Sequence, residues 1–472
     1  MRYVVLIAVV LTISLATAQE SYLHAQFRRE GERVTDACGT FGFKSIPGCA
    51  YTLFTDHPLH IAVGNIAPQN GFGVGGAFVT NYTPNNNWRL SWDVDAVGST
   101  NASWRAGAYM KIIHTPVKNI RVITPTTGGA TSDNRTNTKK PTVAVRPYTV
   151  FNIYAQSISL NKLFFFGLGP SSSEAARSVF GMSQTIVGGT AIKPLGTKLN
   201  LSLLGEINGR FVSIRGNHNE SSPSIEQLFT EASAPGLRTQ PGVVQLGEGV
   251  RIKPAFFDNR LELNYLGTFQ QYFAPSNSHY SFMRWTVDLG HNFLLYQQTR
   301  PVLARDTNGP DECFTSPGAE KCPPVAVSRN LSGSIGVRFL LSESINSATS
   351  VVPFYFQPTL GGSDVNGTPT LSSFQDYRFR GPNILLLRES FEHSIWGPFG
   401  FEFMADQGTV ALNRGDLGFD HLKHSFGTGF TIRAGGFPQI FLLYAWGGGE
   451  GNHTTFNMNT TLLGGSYRPS LY

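Results

Sequence analysis

Four cysteines are the residues whose spacing best suits a chemical role, either as disulfides or as metal ligands. They form two close pairs, Cys38 with Cys49 and Cys313 with Cys322. Such pairs suit either a disulfide in an oxidising compartment or a zinc site. Zinc is disfavoured because neither pair has Cys-x-x-Cys spacing and no histidine sits beside either pair. We therefore predict two local disulfides, with no metal and no other cofactor.

Other polar clusters indicate chemistry only weakly. His421 and His424 lie three residues apart beside Asp420, but a polar loop is favoured over a metal site there. The glycines within 71–76 match G-x-G-x-x-G, the pattern of a dinucleotide-binding loop. No helix or βαβ unit follows them, so a packed strand is the favoured interpretation. Because no catalytic constellation is visible, we predict that the protein is not an enzyme.

The N-terminal residues predict export. Arg2 is followed by an apolar run over 4–15 and by Ala16-Thr17-Ala18, a small-x-small cleavage site before Gln19. This is the pattern of a cleaved signal peptide over residues 1–18. The net charge of +6 comes from dispersed basic residues, and an exported chain is an improbable nucleic-acid partner.

Composition narrows the class of protein. The 472 residues are 41% hydrophobic and only 14% charged, with 35 Phe and 51 Gly. Such a chain has too many aromatic residues and too little net charge to be disordered. Beyond the N-terminal segment there is no run of about 20 apolar residues, which argues against a helical membrane bundle. Secreted β-proteins and membrane β-barrels remain.

Apolar and polar residues alternate in segments of roughly ten residues from about Gly71 onward. In one segment Trp88, Leu90, Trp92 and Val94 alternate with polar neighbours. Similar segments begin near 260, 284 and 401. A period of two predicts strands with one apolar and one polar face. Long strands whose polar faces carry few Lys or Glu favour a barrel with a wet lumen and an apolar exterior.

Sixteen antiparallel strands are predicted, and bacterial membrane barrels have even numbers of strands. The predicted strands lie near 71–81, 88–97, 103–113, 147–157, 162–168, 178–192, 198–213, 241–253, 260–271, 279–297, 326–341, 383–394, 399–411, 425–434, 439–448 and 455–464. We therefore divide the chain into the signal peptide (1–18), a short periplasmic segment (19–69) and an outer-membrane barrel (70–472).

Strand parity then predicts the sidedness of the connections. If the first strand starts in the periplasm, the outside loops lie near 82–87, 114–146, 169–177, 214–240, 272–278, 342–382, 412–424 and 449–454. The long 298–325 segment then falls on the periplasmic side, among short turns. It is either a real insertion or the sign of an error in the strand register.

One region carries a specific family pattern. It runs from Pro353-Phe354-Tyr355 through Leu360-Gly361-Gly362 and Tyr377-Arg378-Phe379-Arg380 to Phe403-Met404-Ala405-Asp406-Gln407-Gly408. This closely resembles the C-terminal signature of the BamA/TamA outer-membrane protein family, or bacterial surface antigen family. The resemblance is strong from Val352 and weak before it. It implies a 16-stranded transmembrane β-barrel with a long loop folded into the lumen.

The resemblance also implies an ion pair between loop and wall. The family's strand motif F-x-x-D-x-G matches Phe403, Asp406 and Gly408. Its loop tetrad, hydrophobic-Arg-Gly-aromatic, corresponds to Leu371, Ser372, Ser373 and Phe374, so the arginine and glycine are replaced by serines. We hypothesise that Arg378 or Arg380 pairs with Asp406 instead. The alternative is that Asp406 is hydrated in a wet lumen.

Two departures from the family bear on function. Residues 19–69 are too few for a complete periplasmic POTRA domain, the unit that precedes the barrel in members that insert or translocate proteins. The family's last strand usually ends on a terminal aromatic, whereas here Gly464-Gly465 and Pro469 follow the predicted last strand and the aromatic Tyr472 stands beyond that proline. The leading hypothesis is a role in outer-membrane protein assembly or transport without POTRA domains. The alternatives are a passive channel or structural surface antigen, and a secreted soluble β-protein.

The expected location is the outer membrane of a bacterial cell. The expected partners are outer-membrane lipid and lipopolysaccharide. Unfolded outer-membrane proteins and the barrel assembly machine are further candidates under the leading hypothesis.

Overall fold

The computed structural model describes residues 22–39, 49, 58–85, 87–114, 148–196, 199–257, 259–303, 326–396, 399–434, 437–458 and 468–471. The predicted signal peptide lies outside these residues. Within the described ranges, no helix is long and apolar enough to cross a membrane. Antiparallel strands make up most of the fold, so the all-β prediction is confirmed.

The helices and strands have the following bounds. The described helices are α1 (Tyr22–Cys38) and the single turn α2 (Ile225–Leu228). The strands are β1 (Leu59–Asn65), β2 (Phe72–Asn85), β3 (Trp88–Ser99), β4 (Trp104–His114), β5 (Thr149–Phe165), β6 (Ser178–Gly196), β7 (Leu201–Gly216), β8 (Val243–Ile252), β9 (Ala255–Phe256), β10 (Leu261–Phe273), β11 (Phe282–Leu303), β12 (Ala326–Ile345), β13 (Thr359–Leu360), β14 (Phe379–Arg380), β15 (Asn383–Trp396), β16 (Phe399–Ala411), β17 (Lys423–Ala434), β18 (Phe437–Trp446) and β19 (His453–Met458).

One large sheet contains every strand except the β13–β14 pair. Each strand pairs antiparallel with the next along the chain. The two-residue β9 continues β8, since both pair with β10. Among the described residues the sheet therefore has sixteen strand positions in succession, as expected of hairpin-connected strands.

The two faces of the sheet differ in polarity. In β3 the exposed Trp92 and Val94 alternate with the buried Asp93 and Asp95. The same arrangement recurs around the sheet. Exposed apolar residues include Val74, Ile153, Val187, Ile207, Phe211, Val250, Phe293, Phe430, Leu442 and Phe456, and buried polar residues include Asn152, Gln156, Gln184, Asn208, Arg210, Gln245 and Arg284. The polar, buried face lines the inside of the curved sheet, which we call the lumen, and the predicted alternation is confirmed.

The first and last strands lie side by side. Between β1 and β19 the described residues form no ladder of paired backbone groups. Asn65 Nδ2 donates to the carbonyl oxygen of Phe456 at 3.2 Å. We call this β1–β19 junction the seam. The sheet therefore curls until its first and last strands meet, and within the described ranges no backbone hydrogen bonds close it at the seam.

The predicted strand positions contain two errors. The first strand is Leu59–Asn65, within the 19–69 segment where no strand was predicted. The predicted strands at 147–157 and 162–168 are one strand, β5, with a bulge between Leu160 and Leu163. A bulge interrupts the period of two without ending the strand. One missed strand and one divided strand cancel, so the number of predicted strands matches the number of strand positions.

Because of these errors, two connections are predicted at the wrong end of the sheet. His114 pairs with Thr149, whereas Phe165 pairs with Ser178, so the 114–146 connection lies opposite the β5–β6 connection. The 82–87 connection lies at the same end as 114–146. The prediction that these two share an end with 342–382 is therefore wrong. The 298–325 connection keeps its predicted end, where it is now one of two long connections.

The two predicted disulfides have different outcomes. Cys38 and Cys49 are bonded, with their Cα atoms 4.8 Å apart, so the first predicted disulfide is confirmed. Cys313 and Cys322 lie outside the described residues. The second predicted disulfide, between Cys313 and Cys322, is therefore not confirmed and stays a prediction.

The described part of the N-terminal segment packs against the sheet. The ring of Phe27 in α1 stacks on Phe78 of β2 with centroids 4.5 Å apart. Arg33 donates to the carbonyl oxygen of Leu59 at 3.3 Å. Helix α1 is therefore held beside the first hairpin of the sheet.

Candidate functional site in the lumen

The connection 346–382 between β12 and β15 folds back on itself, and we call it the lumen loop. Its two arms pair as β13 and β14, with Thr359 opposite Arg380 and Leu360 opposite Phe379. Further in, the Thr370 N–H donates to the carbonyl oxygen of Gly362 at 2.9 Å. The arms therefore form a hairpin-like unit whose backbone groups satisfy one another.

Two glycines permit the tight packing of the arms. Gly361 and Gly362 have φ angles of 108° and 59°, in the left-handed region that favours glycine. A Cβ on Gly361 would lie 2.5 Å from Cβ of Arg378, and one on Gly362 would lie 2.4 Å from Oδ1 of Asp376. Any other residue would therefore force the arms apart. This explains the Leu-Gly-Gly sequence noted in the family pattern.

An apolar cluster attaches the lumen loop to the inner face of the wall. Leu360, Leu371, Phe374 and Phe379 of the loop pack with wall residues of β15 and β16, which are Ile384, Leu386 and Val410. Gly408 belongs to the same contact, because a Cβ there would lie 3.1 Å from Leu360 Cδ1. Burying a leucine or phenylalanine side chain contributes about 1.5–3 kcal/mol, so this cluster is a substantial anchor.

A buried ion pair lies beneath the loop. Arg388 of β15 and Asp406 of β16 are directly opposite each other in the strand register. Arg388 Nε lies 2.7 Å from Asp406 Oδ1, and Arg388 Nη2 lies 2.9 Å from Oδ2. Only 2% of the Asp406 side chain is exposed. The bidentate geometry is the strongest arrangement for an arginine and a carboxylate.

The lumen loop meets this pair through its backbone. The Leu371 N–H donates to Asp406 Oδ2 at 3.0 Å, and Arg388 Nη2 also donates to the carbonyl oxygen of Pro369. Leu371 has a φ of 44°, an unusual conformation for a leucine. The wall therefore supplies both charges, and the loop supplies one backbone donor and one acceptor.

The hypothesis that Arg378 or Arg380 pairs with Asp406 is wrong. Asp406 pairs with Arg388, which the sequence analysis did not single out. A signal was available, because Arg388 and Asp406 are equidistant from residue 397 in the short β15–β16 connection. An antiparallel hairpin centred there places the two residues opposite each other. The alternative of a merely hydrated Asp406 is also wrong.

Arg378 holds the lumen loop at the end of the sheet where the β5–β6 and β18–β19 connections lie. Its side chain is 3% exposed and pairs with Glu450 of the β18–β19 connection at 2.8 Å. It also donates to the hydroxyl and carbonyl oxygens of Ser172 at 2.9 and 2.7 Å. The guanidinium carbon lies 5.0 Å from the ring centre of Phe166, within cation–π distance. Arg378 therefore joins three connections at this end of the sheet.

Arg380 supports the start of the loop. Its Nη1 donates to the carbonyl oxygens of Phe354 and Gln357 at 2.8 and 3.3 Å. Phe354 belongs to the 3-10 turn Phe354–Phe356, whose aromatic rings are buried, and Gln357 follows it directly. The guanidinium also lies within 6 Å of the Phe165 and Phe354 rings. Both predicted arginines therefore hold the loop, but at its arms and not at Asp406.

The remaining predicted site residues divide between the two faces. Ser372 and Ser373 are buried, and the Ser373 N–H donates to Ser425 Oγ of β17 at 2.8 Å. Within the described chain, neither serine hydroxyl has a hydrogen-bond partner. Phe374 meets Phe379 edge-on with ring centres 5.0 Å apart. Phe403 points to the outer face and is 39% exposed, unlike the inward Asp406.

The lumen loop also contacts the β1–β2 turn. The Tyr377 hydroxyl donates to the carbonyl oxygen of Pro68 at 2.7 Å. Gln69 Nε2 donates to Asp376 Oδ2 at 2.6 Å, and the Ser363 N–H donates to Oδ1 at 2.8 Å. Burial raises the pKa of Asp376 above its ordinary value, against these hydrogen bonds. The carboxyl is therefore a pH-sensitive contact of the loop.

A cavity of about 1290 Å³ remains in the lumen beside the loop. Its charged lining residues are of both signs: Arg105, Arg210, Arg251, Arg284, Arg338 and Arg468, and Glu206, Glu248, Asp288, Asp364 and Asp376. Asp288 and Arg338 form a second bidentate pair, with both distances 2.9 Å. Across the ranges that the structure describes, no three His, Cys, Asp or Glu residues cluster as a metal site. The described lumen therefore offers polar binding surface.

Solved structures include several with a related arrangement of strands. BamA from Haemophilus ducreyi lacking POTRA domains 1–3 is 9% identical, with a TM-score of 0.45, covering 85% of this chain and 68% of that one. CdiB from Escherichia coli is 11% identical, with a TM-score of 0.45 and coverages of 83% and 59%. CdiB from Acinetobacter baumannii is 10% identical, with a TM-score of 0.41 and coverages of 85% and 56%.

This chain thus spans little more than half the length of the two CdiB chains. No protein-family model matches the sequence. No curated protein matches it either.

Proposed function

We propose that the protein is an outer-membrane β-barrel of the BamA/TamA type that acts in the assembly or transport of other proteins. The membrane assignment is supported by the polarity of the sheet. Apolar residues such as Ile153, Ile207 and Phe211 are 50% or more exposed on the outer face, whereas the inner face is polar. A soluble sandwich has the opposite arrangement, and a barrel in lipid has this one.

The occupied lumen is the observation that favours a role in protein assembly or transport over a passive channel. The lumen loop is attached by an apolar cluster, by the Arg388–Asp406 pair and by Arg378. A passive channel needs an open path through the lumen, and so many buried contacts oppose it. At the seam, in contrast, the described parts of β1 and β19 form no ladder with each other, and a client strand could pair with such edges by β-augmentation. We therefore assign the client route to the seam.

Cell fractionation tests the membrane assignment. The mature protein is expected in the outer-membrane fraction, with a folded band on gels that shifts after heating. Recovery in the soluble periplasmic or secreted fraction, without a heat-dependent shift, would refute it. Lipid and lipopolysaccharide are then the expected partners of the apolar outer face.

Site-specific photocross-linking tests the client route. A cross-linking residue in place of Val63 in β1 reports on the seam, and one in place of Phe211 in β7 reports on the wall far from it. Unfolded outer-membrane proteins or the barrel assembly machine should be captured at position 63 and not at 211. Equal capture at both positions, or none at 63, would contradict the proposal.

A passive channel is the second candidate, and the cavity of about 1290 Å³ is the observation that favours it. Single-channel recording separates the two functions. We expect the intact protein to show no stable open conductance, and deletion of residues 363–381 to create one. Stable conductance in the intact protein would favour the channel.

A further inference from the structure

Residues 468–471 lie inside the lumen and cross from the wall to the tip of the lumen loop. Arg468 Nη2 is 2.7 Å from Asp95 Oδ2 of β3, which Arg105 also approaches at 3.5 Å. At the other end Leu471 is only 5% exposed and belongs to the main apolar core. An exposed tail would not bury a leucine and an ion pair together.

Asn366 contacts two successive residues of this segment. Its Nδ2 donates to Ser470 Oγ at 3.3 Å, and its Oδ1 accepts from the Leu471 N–H at 2.9 Å. The loop tip is held rigid for this contact, because Asp364 Oδ1 accepts from the N–H groups of Asn366 and Thr368 at 2.9 and 2.8 Å. A side-chain amide that both donates and accepts suits an extended peptide.

Arg210 of β7 completes the site from the wall. It is 1% exposed, and its Nη1 donates to the carbonyl oxygen of Ser470 at 2.8 Å. Its Nε donates to Asn208 Oδ1 and Gln245 Oε1 at 3.0 and 2.6 Å. All three acceptors are neutral. A buried guanidinium with neutral acceptors gives a peptide carbonyl a strong, charge-assisted hydrogen bond.

We propose that Asn366, Arg210 and Asp95 form a peptide-binding site in the lumen. It recognises an extended segment with a basic residue, a proline, a small polar residue and an aliphatic residue in that order. In this structure the site is filled by the protein's own Arg468-Pro469-Ser470-Leu471. Its occupancy ties the tip of the lumen loop to β3 and β7, so the segment is a latch that a peptide of the same chemistry displaces.

A binding assay on the full-length protein in detergent tests the site. The probe is a fluorescent peptide Arg-Pro-Ser-Leu-Tyr, and the protein carries Leu471→Asp to weaken its own latch. We expect saturable binding, and about tenfold weaker binding when Asn366→Ala is added, since two hydrogen bonds are lost. The scrambled peptide Ser-Tyr-Pro-Leu-Arg is the control. Absence of saturable binding, or equal binding by the Asn366→Ala protein, would overturn the proposal.

Limited proteolysis gives an independent readout of the latch. Leu471→Asp and Arg468→Ala should each speed cleavage within the lumen loop, and added peptide should slow it again in both. Heat-dependent gel mobility verifies that each variant is folded. Cleavage at the wild-type rate in both folded variants would overturn the latch. These assays need only folded protein, so their failure differs from a failure of the proposed membrane function.

Discussion

The wall beneath the lumen loop and the seam are two parts of the same sheet with different construction. At the wall, β15 and β16 pair through thirteen residue pairs, and Arg388 and Asp406 add a bidentate ion pair. At the seam, β1 and β19 are joined in the described residues by the side chain of Asn65. The apolar and ionic anchor of the loop lies on the well-paired β15–β16 wall.

This difference shows that the loop anchor and the seam rely on different kinds of contact. Loop anchoring depends on buried groups that leave little tolerance for losing one partner. Among the described residues, strand pairing at the seam depends on one exposed hydrogen bond, which water can replace. The lumen loop also bonds the two connections beside the seam, through Pro68 on one side and Glu450 on the other, so opening of the seam at that end requires these contacts to break while the β15–β16 anchor stays. The predictions below are ordered from the largest expected effect to the smallest.

Replacing Arg388 should weaken the β15–β16 wall and the attachment of the lumen loop to it. Arg388→Ala leaves the Asp406 carboxylate buried without its partner, and the expected loss is about 3–5 kcal/mol of loop anchoring or stability. Faster cleavage of the lumen loop by a protease and a lower thermal midpoint would register it. Arg414→Ala is the matched control, because Arg414, which pairs with Glu343, is exposed and should contribute at most about 1 kcal/mol. Equal effects of the two substitutions would contradict this difference.

A side chain at position 361 should also loosen the lumen loop, because it would force the two arms apart. Gly361→Ala combines a positive φ with a Cβ collision on Arg378, at a cost of about 1–3 kcal/mol. Gly267→Ala on β10 is the control, since nothing lies within 4 Å of its added Cβ. Thermal unfolding compares them. A stable Gly361→Ala protein with wild-type loop protection would rule out the tight pairing of the arms.

Acidic pH should stabilise the folded state through Asp376, because protonation removes the cost of burying its charge. Burial raises the pKa of Asp376, so the protonated form favours the folded state. The contribution is complete below the ordinary Asp pKa of 3.8 and is lost as pH rises through the raised value. Asp376→Asn should flatten that part of the thermal-midpoint profile. The idea fails if wild type and Asp376→Asn show the same pH dependence.

Removing the seam hydrogen bond should have the smallest effect. Asn65→Ala takes away one exposed hydrogen bond, so less than about 1 kcal/mol of stability should be lost. The thermal midpoint should barely change, while exchange of the β19 amides should quicken. A large drop in the midpoint would mean that the seam is a structural joint like the wall.

The sequence predicted the fold better than it predicted the site. Alternation in β3 or β10 identifies a strand because the outer face of the sheet is apolar and its lumen face is polar. The predicted break between the strands at 147–157 and 162–168 is wrong because a bulge interrupts the period of two within β5. Asp406 was located by its motif, but its partner depends on strand register, which local patterns do not specify. The lumen position of 468–471 depends on contacts with Asn366 and Arg210, which are distant along the chain.

The cysteine prediction needed only local information. Cys38 and Cys49 are separated by 11 residues, and their bond could be predicted from spacing and compartment alone. Cys313 and Cys322 are equally close in sequence but lie outside the described residues, so the bond between them is not confirmed.

Hydrogen exchange of the unmodified protein tests the central comparison most directly. Peptides covering 359–380 and 383–411 should be protected together, because the Leu371 N–H is bound to the buried Asp406. Peptides covering 59–65 and 453–458 should exchange first, since one edge of each strand faces the seam. Early exchange of the lumen loop, with the two seam strands still protected, would contradict the account.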